Sequence, residues 1–62
     1  MYDNTDNVER KFVYFPINSI SKEAIHSTRA YTELEAANVF ASLKNLSVHD
    51  FLEIYTIEER EN

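Results

Sequence analysis

The groups best suited to acid–base or metal chemistry in this chain are two histidines, His26 and His49, and eleven carboxylates; cysteine is absent from the 62 residues. His49 and Asp50 are sequence neighbours, but adjacent side chains on a strand or turn diverge, so adjacency supplies no triad geometry. A capping or surface role is the plainer reading of both. A metal site built from His26, His49 and a carboxylate matches none of the zinc ligand spacings. Glu58, Glu59 and Glu61 could in principle flank a sugar or a metal as paired carboxylates do, yet a charged run at the chain end reads as a solvated tail. Glycine is also absent, which removes the Gly-rich turn that cradles phosphate. The expectation is a protein that is not an enzyme and takes no cofactor and no metal.

Charge narrows the choice of partner. Six basic residues stand against eleven acidic ones, for a net charge of -5, and Arg10-Lys11 is the only adjacent basic pair. The counterion release that drives nucleic-acid binding would be small or adverse, so no direct nucleic-acid contact is expected. An acidic surface is instead attracted to basic grooves, including those of enzymes that handle DNA or RNA. The longest apolar run, Phe12 to Pro16, falls far short of the ~20 residues that span a bilayer, and the acidic N-terminus does not read as a signal peptide. No membrane contact and a cytoplasmic location follow as expectations.

Any such contacts must be positioned by a small frame. A domain of roughly 60 residues buries only about 60% of its unfolded surface, so one domain is the most the chain can form. The hydrophobic fraction of 44%, with four Phe and four Tyr, calls for a packed core all the same. Without disulfides or thiolate metal sites, one core of this size supplies only about 3–5 kcal/mol, and self-association as a homodimer, through a strand edge or an aromatic face, is the expected support.

Along the chain, residues 1–10 read as a solvated acidic arm, 11–58 as the folded domain and 59–62 as a charged tail. Lys11 to Ile17 is a β-branched and aromatic run, apolar on both faces, that reads as a strand ending near Pro16. Asn18 to Glu23 holds turn formers. Ala24 to Tyr31 is a second strand or a short helix; strand is preferred because mid-helix Ser27 and Thr28 would compete for backbone bonds. Thr32-Glu33-Leu34-Glu35 is a capping box, and a helix is predicted from Glu33 to about Asn45 with Ala36, Val39, Phe40 and Leu43 inward. Asn45 suits a left-handed C-terminal cap. The last segment carries two patterns. Val48, Phe51, Leu52 and Tyr55 fit a second helix after Ser47-x-x-Asp50, whereas Phe51 to Glu58 alternates as a strand. A single turn over Ser47 to Asp50 and then a strand is preferred for its β-branched and aromatic residues.

The order is then β-β-α-β, an α+β fold with one helix packed on one face of a three-stranded sheet, the crossover rule limiting where the last strand can lie. With Val13, Phe15, Leu52 and Ile54 toward the helix, Phe12, Tyr14, Phe51 and Tyr55 lie on the uncovered face as a patch for association. The alternative is that these rings wrap the sheet edges and complete the core of the monomer.

Length, acidity, missing cysteine and an aromatic strand beside one capped helix resemble the small early proteins with which bacteriophages inhibit host or defence proteins. The segment Lys44-Asn45-Leu46-Ser47-Val48-His49-Asp50-Phe51-Leu52-Glu53-Ile54-Tyr55, with its K-x-L-S-x-x-D-F-x-x-x-Y spacing, is similar to part of the dimeric uracil-DNA glycosylase inhibitors of Bacillus phages, which are acidic DNA mimics. That resemblance implies that Phe51 would enter an apolar pocket of the enzyme with Tyr55 nearby. Leu52 stands where the family has an acid, and the chain ends seven residues after Tyr55, where the family continues. The expected function is inhibition of a host or defence protein, with Phe12, Tyr14, Phe51 and Tyr55 as anchors and Glu53, Glu58 and Glu59 steering toward a basic partner. A structural subunit of a larger assembly and a DNA-mimic inhibitor are the alternatives.

Overall fold

Residues 8–60 are described by a computed structural model. The aromatic run forms strand β1 (Arg10–Pro16), and the second segment forms β2 (His26–Ala30). Their antiparallel register sets Arg10 opposite Ala30 and Tyr14 opposite His26. A third strand, β3 (Tyr55–Glu59), lies antiparallel on the other side of β1, with Pro16 opposite Tyr55 and Phe12 opposite Glu59. The sheet order β2-β1-β3 puts the first strand in the centre. Because β2 and β3 both oppose β1, they run the same way, and the chain between them must cross one face of the sheet.

It crosses as two helices, α1 (Glu33–Leu43) and α2 (Val48–Ile54). The hydroxyl of Thr32 accepts from the Glu35 backbone N–H at 3.1 Å. The Glu35 carboxylate reaches back past the cap to the Tyr31 N–H at 2.8 Å, one residue further than the usual reciprocal box. At the other end Asn45 takes φ 60°, the Asn45 N–H donates to Ser42 and the Leu46 N–H donates to Ala41. This pair of bonds is the Schellman closure that glycine normally provides. Two residues later Ser47 caps α2 by accepting from the Asp50 N–H.

The preferred strand over Phe51 to Glu58 is therefore corrected. Phe51 to Ile54 are helical, and the strand begins at Tyr55, which is at once the C-cap of α2 and the first residue of β3. The Ser47 cap starts the helix, and Phe51 then turns inward, where its ring is stacked 6.1 Å from Phe40. The α+β class with a three-stranded sheet and a helical layer stands, now as β-β-α-α-β.

The assignment of sheet faces is corrected as well. Phe12 and Tyr14 point toward the helices and join Ala30, Ala36, Ala37, Phe40, Ala41, Phe51 and Ile57 in the core. Val13 and Phe15 take the helix-free face by strand alternation. They are buried there too, between Ser27 and Glu58 in the case of Val13 and beside Thr56 in the case of Phe15. The Arg60 guanidinium lies 5.4 Å from the Phe15 ring centroid, donates to the Glu58 carboxylate at 2.7 Å and to the Lys22 carbonyl at 2.8 Å. Arg60 thus ties the β1–β2 connection to the end of the sheet.

Helix α1 is rolled relative to its expected inward stripe. Ala36, Ala37, Phe40 and Ala41 are buried, while Val39 and Leu43 are exposed. Small alanines let the helix approach closely, so that Phe40 fits against Tyr14 with ring centroids 4.6 Å apart. Arg10 already belongs to β1, and Glu59 belongs to β3, so the folded domain extends past both expected limits. Residues 1–7 of the expected arm and 61–62 of the expected tail lie outside the described residues. Among the described residues no helix is long and apolar enough to cross a membrane.

Candidate functional site

Three of the four rings expected to be partner anchors, Tyr14, Phe51 and Tyr55, converge on one another, and Phe12 joins Tyr14 and Phe51 in the core. Tyr14 sits 5.0 Å from both Phe51 and Tyr55, and Phe51 sits 4.8 Å from Tyr55. Phe12, Tyr14 and Phe51 are 2%, 3% and 0% exposed, and Tyr55 is half-buried with the Lys44 ammonium 5.7 Å from its ring centroid. Their expected position on an open sheet face is thus corrected: they are the centre of the monomer core. Such ring pairs contribute about 0.5–1.5 kcal/mol each beyond the area they bury. In this conformation Phe51 is closed off from the pocket-filling role that the inhibitor resemblance implies.

The expected steering carboxylates are all exposed, yet each has a basic neighbour. Glu58 is held by Arg60 as described, Glu59 lies 3.5 Å from Arg10, and Glu53 lies 3.3 Å from His49 Nε2 at helical i,i+4 spacing. Arg10 also donates to the Tyr31 carbonyl at 2.8 Å, so its pair with Glu59 clamps the top of β2 to β3 across the central strand. At this exposure such pairs are worth only a few tenths of a kcal/mol.

His49, Asp50 and Glu53 bring one potential ligand atom each within 4.8 Å of one another on the outer side of α2. One imidazole and two carboxylates could hold a divalent cation weakly, and the same geometry is that of a solvated helix ion pair. His26 is placed elsewhere, on β2 with its ring 6.3 Å from that of Phe40, and the ligand group found among the described residues does not include it.

Apart from Val8 and Tyr31, the large apolar groups that reach solvent among the described residues lie on the helices and the β1–β2 connection. Ile17 and Ile54 are about half exposed, at 51% and 49%, and are adjacent because the Ile17 N–H donates to the Ile54 carbonyl at 3.0 Å. Leu52 is exposed on the same short helix, which also carries Asp50 and Glu53. Sequence reasoning placed Leu52 and Ile54 under a helix because it read them as strand. Once Ser47 is taken as a cap, the 100° helical step puts Phe51 inward and Ile54 on a flank. No family model matches this chain, and no curated protein or solved structure matches it.

Proposed function

We propose that this chain is a small non-enzymatic binding protein of the kind phages deploy in the host cytoplasm against a host or defence protein. Its contact surface is the α2 side of the molecule instead of the ring cluster. The observation that carries this reading is the exposed Ile17–Ile54 pair joined to a helix bearing Asp50 and Glu53. An apolar spot with an acidic border fits a partner whose own contact is apolar and rimmed with Lys or Arg. The DNA-mimic alternative gains less support, since Glu58 and Glu59 each face an arginine and do not form a bare row of charge.

The test is capture from bacterial lysate on immobilised full chain, read by quantitative mass spectrometry at low and high salt. A protein retained by the natural sequence is expected to be lost with Ile17→Asp or Ile54→Asp and weakened by salt. If nothing retained responds to either substitution, the contact surface is wrong. If the chain stays soluble and captures nothing at all, inhibition of a lysate protein is wrong as well.

A further inference from the structure

The connection between β1 and β2 is held by polar bonds more than by packing. Residues 17–25 are exposed except for Ser19, which is half-buried. Backbone bonds fix the two ends: the Ile17 N–H donates to the Ile54 carbonyl at 3.0 Å, and the Ile25 N–H donates to the Tyr14 carbonyl at 2.8 Å. Arg60 fixes the middle. Its backbone N–H donates to the Lys11 carbonyl. From there its side chain runs past Glu58, level with Val13, to the Phe15 ring and ends on the Lys22 carbonyl. A guanidinium carries several donors in one plane, so a single side chain grips a carboxylate and a carbonyl together.

Lys22 is bent to receive that bond. Its φ is 55°, in the left-handed region that a residue with a Cβ enters at a cost. The Lys22 N–H donates to the Ser19 hydroxyl at 3.1 Å, and the Ser19 N–H donates to the Pro16 carbonyl at 3.0 Å, which winds the segment through tight turns. Ile20 lies within them and is 99% exposed. An exposed isoleucine is ordinary by itself. This one stands on a strained segment gripped from across the sheet, and such segments gather where ligands are clamped. Three residues of chain keep its Cα within about 11 Å of that of Ile17.

We infer that Ile20 is the leading side chain of the contact proposed above, entering an apolar pocket with a basic rim on the partner, and that Arg60 is a positioning residue that holds it ready. The inference rests on the Ile17–Ile54 reading and names the group that enters the partner. At this exposure Ile20 gives up almost no contact within its own chain on binding, so nearly all of its apolar surface is gained. Asp50 and Glu53 on α2 match the basic rim. A segment already ordered by Arg60 need not be ordered by the partner. Without the Arg60 bond the connection samples open forms, and only the closed fraction presents Ile20.

The test is competition. Immobilised natural chain is exposed to bacterial lysate, and soluble natural chain or a variant is added until the retained protein falls by half. Ile20→Ala should require at least tenfold more competitor, with an unchanged urea midpoint. Arg60→Met keeps an apolar stem on Phe15 and removes the donors; it should require about threefold to tenfold more. Ile20→Ala combined with Arg60→Met should match Ile20→Ala alone within about twofold, because the connection then has no anchor to position, whereas Arg60→Met and Ile54→Ala should multiply. If Ile20→Ala competes as well as the natural chain while Ile54→Ala competes poorly, the inference is overturned and the Ile17–Ile54 reading stands. If Ile17→Asp and Ile54→Asp compete as well as the natural chain, or no protein is retained, that reading fails and takes the inference with it. Losses from Ile20→Ala and Arg60→Met that multiply would mean that Arg60 acts through the stability of the sheet, and its positioning role would be overturned.

Discussion

Phe51 and Leu52 are consecutive residues of α2, one wholly buried and the other 42% exposed, and truncating each to alanine separates a core role from a surface role. Phe51 contacts Tyr14, Phe40 and Tyr55, so Phe51→Ala removes three ring contacts and leaves a cavity, at a cost of about 3–5 kcal/mol. The whole domain has only about 3–5 kcal/mol to lose. With a urea slope of roughly 1 kcal/mol/M, the unfolding midpoint should fall by about 3 M or more, leaving the variant largely unfolded in water. Leu52→Ala costs about 0.5 kcal/mol at most, since alanine favours the helix and the lost surface was already half wet. The assay is urea unfolding followed by far-ultraviolet circular dichroism at one protein concentration, because association adds to apparent stability. Phe51→Leu, expected to lose about 1–1.5 kcal/mol, gives a folded intermediate if the alanine variant has no baseline. A Phe51→Ala midpoint within 0.5 M of the natural sequence, by the ~1 kcal/mol/M slope, would refute the placement of Phe51 and return it to the surface.

Asn45→Gly should raise the melting temperature by several degrees, since glycine adopts the positive φ of the Schellman position without a side-chain penalty of roughly 1 kcal/mol; Asn45→Val should lower it. Ser47→Ala removes the acceptor for the Asp50 N–H and should cost about 1 kcal/mol by urea unfolding, with partial loss of helical signal. Arg60→Ala frees the Lys22 carbonyl and uncovers Phe15, so limited trypsin digestion should cut after Lys22 severalfold faster than in the natural sequence.

The parts legible in the sequence are those governed by local chemistry. Thr32 and Glu35 announce the start of α1, Asn45 its end, and Pro16 the end of β1, because caps and breakers act over three or four residues. The choice of sheet face was not legible. Residues 12–15 are apolar throughout, and only cross-strand neighbours such as Glu58 and Ser27, set by the register, decide that Val13 faces away from the helices. Residues 51–54 satisfy a helix and a strand equally well, and tertiary packing of Phe51 settles the matter. The stripe of α1 misled for a related reason. Val39 and Leu43 are larger than Ala37 and Ala41, but the close approach of the helix rewards the smaller pair. These misreadings moved the candidate surface from the rings to the α2 flank.

Tyr55 serves α2 and β3 without a connecting residue between them. That junction has no slack to absorb a change in length. One residue removed there would advance β3 by one step and exchange the sides occupied by Ile57 and Glu58, driving a carboxylate into the core where Tyr14 now meets Ile57. The connection from Ile17 to Ile25 could grow or shrink with little effect on register. A change of length is therefore expected to be tolerated at the β1–β2 end of the sheet and not between Ser47 and Glu59, whose spacing behaves as a fixed ruler.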